Sequence, residues 1–175
     1  MHTEHHLRDE FYNAITHGLG ALLSIIGGIV LITLAAIYGN QWQLISAVIY
    51  SISLVGLYGA STLYHSTHEP IAKRRYKVLD HCMIYVLIAG SYTPFTLIAM
   101  RDDGGWWLFG ISWSMALAGI VFKLFFTGRF ELVSTLLYLG MGWMMLFAAG
   151  PMLRNIGTAE LAWLGIGGFF YSFGT

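Results

Sequence analysis

Five side chains of this sequence could do chemistry together: Ser61, His65, Asp80, His81 and His17. Ser61 and His65 are four apart, so a helix presents both on one face, with Tyr58 one turn earlier. Asp80 and His81 are adjacent and diverge by about 100° on a helix, so one faces the bundle and the other a neighbour. An imidazole and a carboxylate can hold a metal ion and orient or deprotonate its water. A serine hydroxyl nearby can donate a hydrogen bond to a developing oxyanion.

Each residue also has a plainer reading. His65 suits an interfacial histidine among lipid headgroups. Asp80 suits a helix cap, or an ion-pair partner for Lys73 or Lys77. Ser61 suits a hydroxyl bonded back to the carbonyl of Leu57. His17 and His81 suit supporting or packing roles better than ligation. Spacing alone decides none of these, and no His-x-x-x-His pair occurs in any apolar segment.

The elements that must position these residues are membrane helices. The 175 residues are 57% hydrophobic and 10% charged, with mean hydropathy +0.65, against about 25% charged in soluble domains. The expected fold is all-α, a polytopic transmembrane helix bundle. Its six apolar segments are 15–38, 43–63, 82–100, 106–126, 132–152 and 161–175. A polar cytoplasmic tail, 1–14, precedes a single transmembrane domain, 15–175. Break signals separate the segments: Gly39-Asn40, His68-Glu69-Pro70, Asp102 to Gly105, Thr127-Gly128-Arg129 and Gly150-Pro151. Pro94 should kink the third helix. The last segment covers about 22 Å as a helix, short of the ~30 Å hydrocarbon core, so the chain is expected to continue beyond it.

Lys and Arg placement orients the bundle. Arg8, Lys73, Arg74, Arg75, Lys77, Lys123 and Arg129 fall on one side, and Arg101 and Arg154 on the other. That asymmetry places the N-terminus in the cytoplasm. His17, Ser61, His65, Asp80 and His81 then share the cytoplasmic leaflet, where ionisable groups at depth usually have a partner or a task. The basic run at 73–77 is explained by topology alone. Trp106 and Trp107 fit an aromatic belt at the opposite interface. Gly27-Gly28 and the glycines at 165, 167 and 168 suit close helix packing.

The remaining features exclude several classes. The formal net charge is +0 with no long basic stretch, so nucleic acid is not an expected partner. Cys82 is the only cysteine, which rules out an internal disulfide and a thiolate zinc site. Residues 1–13 lack the pattern of a cleaved signal, so the first span should serve for targeting. His2, His5 and His6 look like chelators but read better as a mobile tail.

Several motifs taken in order resemble the hemolysin III family: Ser61-Thr-Leu-Tyr-His65, Leu79-Asp80-His81-Cys-Met-Ile-Tyr85 and Ala89-Gly-Ser-Tyr-Thr-Pro94. Asn13-Ala-Ile-Thr-His17-Gly, Lys123 and Gly140-Met-Gly-Trp143 extend the likeness over nearly the whole chain. That family is related to the adiponectin and progestin receptors and to the alkaline ceramidases. The resemblance implies a seven-helix fold with zinc near the cytoplasmic face. It implies His65 as a zinc ligand, Asp80 holding a metal-bound water and Ser61 beside it. It places two further ligands on a seventh helix that this sequence lacks, so zinc binding by the chain as given should be weak.

The expected function is zinc-dependent hydrolysis of lipid amides in a bacterial inner membrane, or a related control of lipid composition. The partners are membrane lipids. A pore-forming cytolysin and a receptor-like protein with structural zinc are the rival readings. A pore has little support, because no segment carries the polar stripe of a water-filled lumen.

Overall fold

The computed structural model describes the backbone of residues 2–174 and the side chains of residues 7–174. The side chains of His2, His5 and His6 therefore lie outside the described residues, as do Met1 and Thr175.

The described chain is all helix. Helix α1 (His2–Tyr38) is continuous through the polar N-terminal residues. It turns at Gly39-Asn40 into α2 (Gln41–Ser66), where Asn40 accepts from the Trp42 and Gln43 N–H groups at 2.9 and 3.1 Å. The Gln43 side chain accepts from the Asn40 N–H at 2.8 Å, completing a reciprocal cap. Helix α3 (Pro70–Pro94) starts with Pro at its first position and Glu69 as cap.

Pro94 does not break α3. The helix passes into a wider π turn, Phe95–Ala99, which accommodates the missing N–H. The chain reverses at Asp103-Gly104, with φ of 85° at Gly104, and enters α4 (Trp106–Phe126). Gly105 is required there, because a Cβ would run into the Thr96 and Met100 carbonyls.

Helices α5 (Glu131–Trp143) and α6 (Ala149–Asn155) are joined by a 3-10 stretch, Met144–Ala148. The break expected at Gly150-Pro151 is absent. Pro151 falls in the first turn of α6, where a missing N–H is tolerated. The chain loosens instead between α5 and α6. Tyr92 repairs that site: its hydroxyl shares one proton between the Met141 and Gly142 carbonyls (2.7 and 2.8 Å) and accepts from the Met145 N–H at 3.0 Å.

Five helical stretches are long and apolar enough to cross a membrane: Leu7–Tyr38, Gln41–Ser66, Pro70–Ala99, Arg101–Phe126 and Glu131–Asn155. The sixth apolar segment forms α7 (Thr158–Gly174), whose 17 residues extend about 25 Å.

Helix α3 is the hub. Tyr85 and Ala89 are fully buried, and the core continues through Tyr92, Met100, Tyr138 and Met141. Gly90 leaves room for Ser53 of α2, and Gly119 of α4 leaves room for the Tyr85 ring. Helix α1 is peripheral, with Leu22, Leu23, Ile26 and Ile29 facing outward. At the end holding Asp103, Trp107 is exposed and Trp42 stacks edge-on to Trp106 at 5.3 Å. Arg101 sits over the Trp42 ring at 5.5 Å, as an interfacial belt requires.

Candidate functional site

The start of α1, the end of α2 and the start of α3 meet at the opposite end of the bundle, and the polar residues collect there. Helical geometry puts Tyr58, Ser61 and His65 on one face of α2. Gly20 lets that face approach α1, because a Cβ there would lie 2.6 Å from the Tyr58 ring. His17 stands edge-on to Tyr58 at 6.0 Å and to His65 at 5.4 Å between ring centres.

Ser61 does not bond back to its own helix. Ser24, Ser53, Thr62 and Ser66 all donate to the carbonyl four residues back, at 2.6–2.7 Å. The Ser61 hydroxyl instead meets His17 Nδ1 at 2.5 Å. It is 3% exposed, so the pairing is internal.

His65 is held by a residue the sequence reading assigned to a tail. Its Nδ1 meets Glu10 Oε2 at 3.0 Å, and Lys73 Nζ donates to the same oxygen at 2.8 Å. Lys73 also donates to the Tyr64 carbonyl at 3.3 Å and lies over the Tyr64 ring. Glu10 is 8% exposed, so α1, α2 and α3 are joined by an enclosed carboxylate. A carboxylate only accepts, so Nδ1 of His65 carries the proton. That leaves Nε2 as the ring nitrogen turned away from Glu10. Glu10 was legible in principle: residues 10, 17, 24 and 28 recur on one helical face.

Asp80 lies nearly three turns inside α3, so it does not cap the helix. Glu69 does, accepting from Ile71 and Ala72 N–H groups at 3.0 and 2.6 Å. Lys73 is taken by Glu10, and among the described residues Asp80 makes no hydrogen bond or ion pair. Its carboxylate is half-buried.

His81 diverges from Asp80, as adjacency demands. Its Nδ1 is buried without a partner among the described residues, and its carbonyl accepts from Tyr138 at 3.4 Å. It belongs to a second cluster between α3, α4 and α5, with Tyr85, Tyr138 and Lys123. Lys123 is 2% exposed, with Nζ 5.9 Å from the Tyr138 ring centre. Cys82 faces that side too, toward the Ile120 carbonyl.

Zinc fits this site only in part. His65 presents a metal-competent nitrogen backed by a carboxylate. Among the described residues, however, no three His, Cys, Asp or Glu side chains gather to hold an ion.

Comparison with known proteins agrees with the motifs. The family model "Haemolysin-III related" matches residues 5–175. The "Hemolysin-3 homolog" of Bacillus subtilis (strain 168) is 47% identical over 169 residues, 97% of this chain and 79% of that protein. "Hemolysin-3" of Bacillus cereus is 44% identical over 168 residues, 96% of this chain and 77% of its own. The human "Monocyte to macrophage differentiation factor" is 27% identical over 173 residues, covering 93% and 68%. No solved structure matches significantly. The helices and the Bacillus relatives make this an integral membrane protein of the bacterial inner membrane. The chain belongs to the haemolysin-III related family.

Proposed function

We propose that this chain is a membrane hydrolase of lipid amides, working from the cytoplasmic leaflet with its N-terminus inside. The observation that carries the reading is the Ser61–His17 pair, withdrawn from helix back-bonding at the end of the bundle that also holds Asp80. The Lys and Arg asymmetry supports the orientation. In this reading Asp80 takes a proton from the attacking water and passes it to the leaving amine. Ser61, oriented by His17, donates a hydrogen bond to the tetrahedral oxyanion. Glu10 and Lys73 fix the His65 ring. Zinc held at His65 Nε2 would supply Lewis-acid polarisation and a more acidic water.

The test uses purified protein in lipid nanodiscs, with zinc counted per chain and hydrolysis of an N-acyl lipid amide followed. Asp80→Asn and His65→Ala are expected to lower turnover by about 10²-fold or more. Equal turnover in all three proteins would remove the hydrolase reading. Dye leakage from liposomes that survives His65→Ala, without amide cleavage, would replace it with the pore.

A further inference from the structure

Another face of α3 carries polar groups that the proposed chemistry leaves unused. Arg74, Lys77, His81 and Tyr85 recur at three- and four-residue spacing, so they form one stripe down the helix. Burial deepens along it. Arg74 is exposed, Lys77 and His81 are half-buried and Tyr85 is fully buried. Lys73, by contrast, turns to Glu10 of α1.

Helix α4 runs antiparallel beside that stripe. Gly119 faces the Tyr85 ring, and the Ile120 carbonyl faces Cys82. Lys123, one turn further on, therefore comes level with residues 79–81. Tyr138 of α5 closes the third side, 4.5 Å from Tyr85 between ring centres and 5.9 Å from Lys123 Nζ.

The groups gathered there lack acceptors. Lys123 is 2% exposed, yet among the described residues its ammonium makes no salt bridge or hydrogen bond. His81 Nδ1 and Tyr85 Oη are buried without a partner. The Tyr138 hydroxyl reaches only the His81 carbonyl, at 3.4 Å, longer than an ordinary O–H···O bond. Glu131, at the start of α5, is exposed and makes no ion pair with Lys123. Buried polar groups are ordinarily satisfied, so unmet donors collected in one place point to a missing acceptor. An ammonium only donates and repels cations, so that acceptor is an anion.

The plainer reading falls short. A lysine in the last turn of a membrane helix ordinarily extends its ammonium to the headgroups. The positive-inside asymmetry asks for cations at that end of the bundle, but not for one enclosed and unpaired. Depth then selects the source of the anion. Lys123 lies on a membrane-spanning helix whose Val121 and Leu124 face outward. A free anion would have to leave water to reach it. A lipid phosphate already lies at this interface, and basic pockets between helices on the cytoplasmic side take anionic headgroups.

We infer that the α3–α4–α5 junction binds the phosphate of an anionic phospholipid, with Lys123 as the inner cation and Lys77 and Arg74 as the outer ones. The leaflet that supplies the lipid rests on the proposed orientation. Binding itself requires no amide hydrolysis.

The experiment incubates the intact protein in detergent micelles with phosphatidylglycerol, phosphatidylcholine or inorganic phosphate, and counts what each chain retains by native mass spectrometry. Phosphatidylglycerol should be retained about fivefold or more over phosphatidylcholine, the factor that one cation near a headgroup supplies. The preference should persist in about 0.5 M salt, because enclosed charges are screened little. Lys123→Met, close in volume and uncharged, should abolish it. Arg75→Gln removes a surface charge from a different face of α3 and should leave it unchanged. Equal losses in the two variants would overturn the inference and assign the attraction to the general surface field. Equal retention of the two lipids, or a preference lost in salt, would also overturn it. Inorganic phosphate held as tightly as phosphatidylglycerol would replace the lipid with a free anion. If Lys123→Met does not fold, the selectivity and salt series of the unsubstituted protein decide alone. Selective retention without amide cleavage keeps the inference and removes the hydrolase reading. Cleavage with equal retention does the reverse.

Discussion

Ser61 on α2 pairs its hydroxyl with Nδ1 of His17 on α1, 2.5 Å away, and not with the Leu57 carbonyl one turn back. Serine in a membrane helix ordinarily bonds its own backbone, and four nearby hydroxyls do so. Ser61→Ala should therefore leave the half-buried His17 Nδ1 without its partner. We expect a loss of about 1–3 kcal/mol in stability, with lipid-amide turnover down about 10²-fold or more. Ser53→Ala, which removes only a back-bond, is the control. Thermal unfolding and turnover in the same nanodisc preparation check both, and equal behaviour of the two variants would remove the special role of Ser61.

Glu10 joins three helices through one oxygen. Glu10→Ala strands Lys73 and His65 around an enclosed space, so it should destabilise by about 3–5 kcal/mol. Lys73→Met should lower the cost of Glu10→Gln, giving a coupling of about 1 kcal/mol or more in a double-mutant cycle. Because the carboxylate is enclosed, raising salt should change these differences little. Additive, salt-sensitive effects would place the pair in solvent.

Tyr92 serves three backbone groups at the α5–α6 break. Tyr92→Phe preserves the ring and removes the hydroxyl. Two carbonyls and one N–H then lose a partner inside the bundle, so a destabilisation of about 2–4 kcal/mol is expected. Hydrogen exchange should rise first at Met145, whose N–H loses its acceptor. Exchange that rises uniformly instead would show that the break does not depend on Tyr92.

Glu69 offers a pH test outside the spans. The N–H groups of Ala72 and then Ile71 hold its carboxyl below the ordinary value of 4.5. A lowered folded-state pKa adds stability above the unfolded value, and that stability is lost as pH falls through the folded one. The unfolding midpoint of the native chain should exceed that of Glu69→Gln at neutral pH. The gap should close as the pH falls below 4.5 and on through the lowered folded-state value. A constant gap down to pH 3 would mean that the amide caps as well as the carboxylate.

Much of this molecule was settled locally, and the sequence by itself determined that much. Bilayer thickness dictates apolar length, so the five long apolar stretches were legible, although the basic start of α3 hid how far that helix extends. The turns at Gly39-Asn40, Glu69-Pro70 and Gly104 follow from residue chemistry within a few positions. So does the divergence of Asp80 from His81, a matter of helical pitch. What only the tertiary structure decided is which polar groups meet. Ser61 meets His17 across 44 residues, and Glu10 meets His65 and Lys73 across 55 and 63. Those pairings depend on how each helix is rotated about its axis. Rotation is set by small residues at crossings, as Gly20 yields to Tyr58 and Gly90 to Ser53, and not by any periodicity within one segment. The same rotation buried Lys123 and left Asp80 without an ion pair among the described residues, because a helix's partners, unlike its length, are properties of its neighbours.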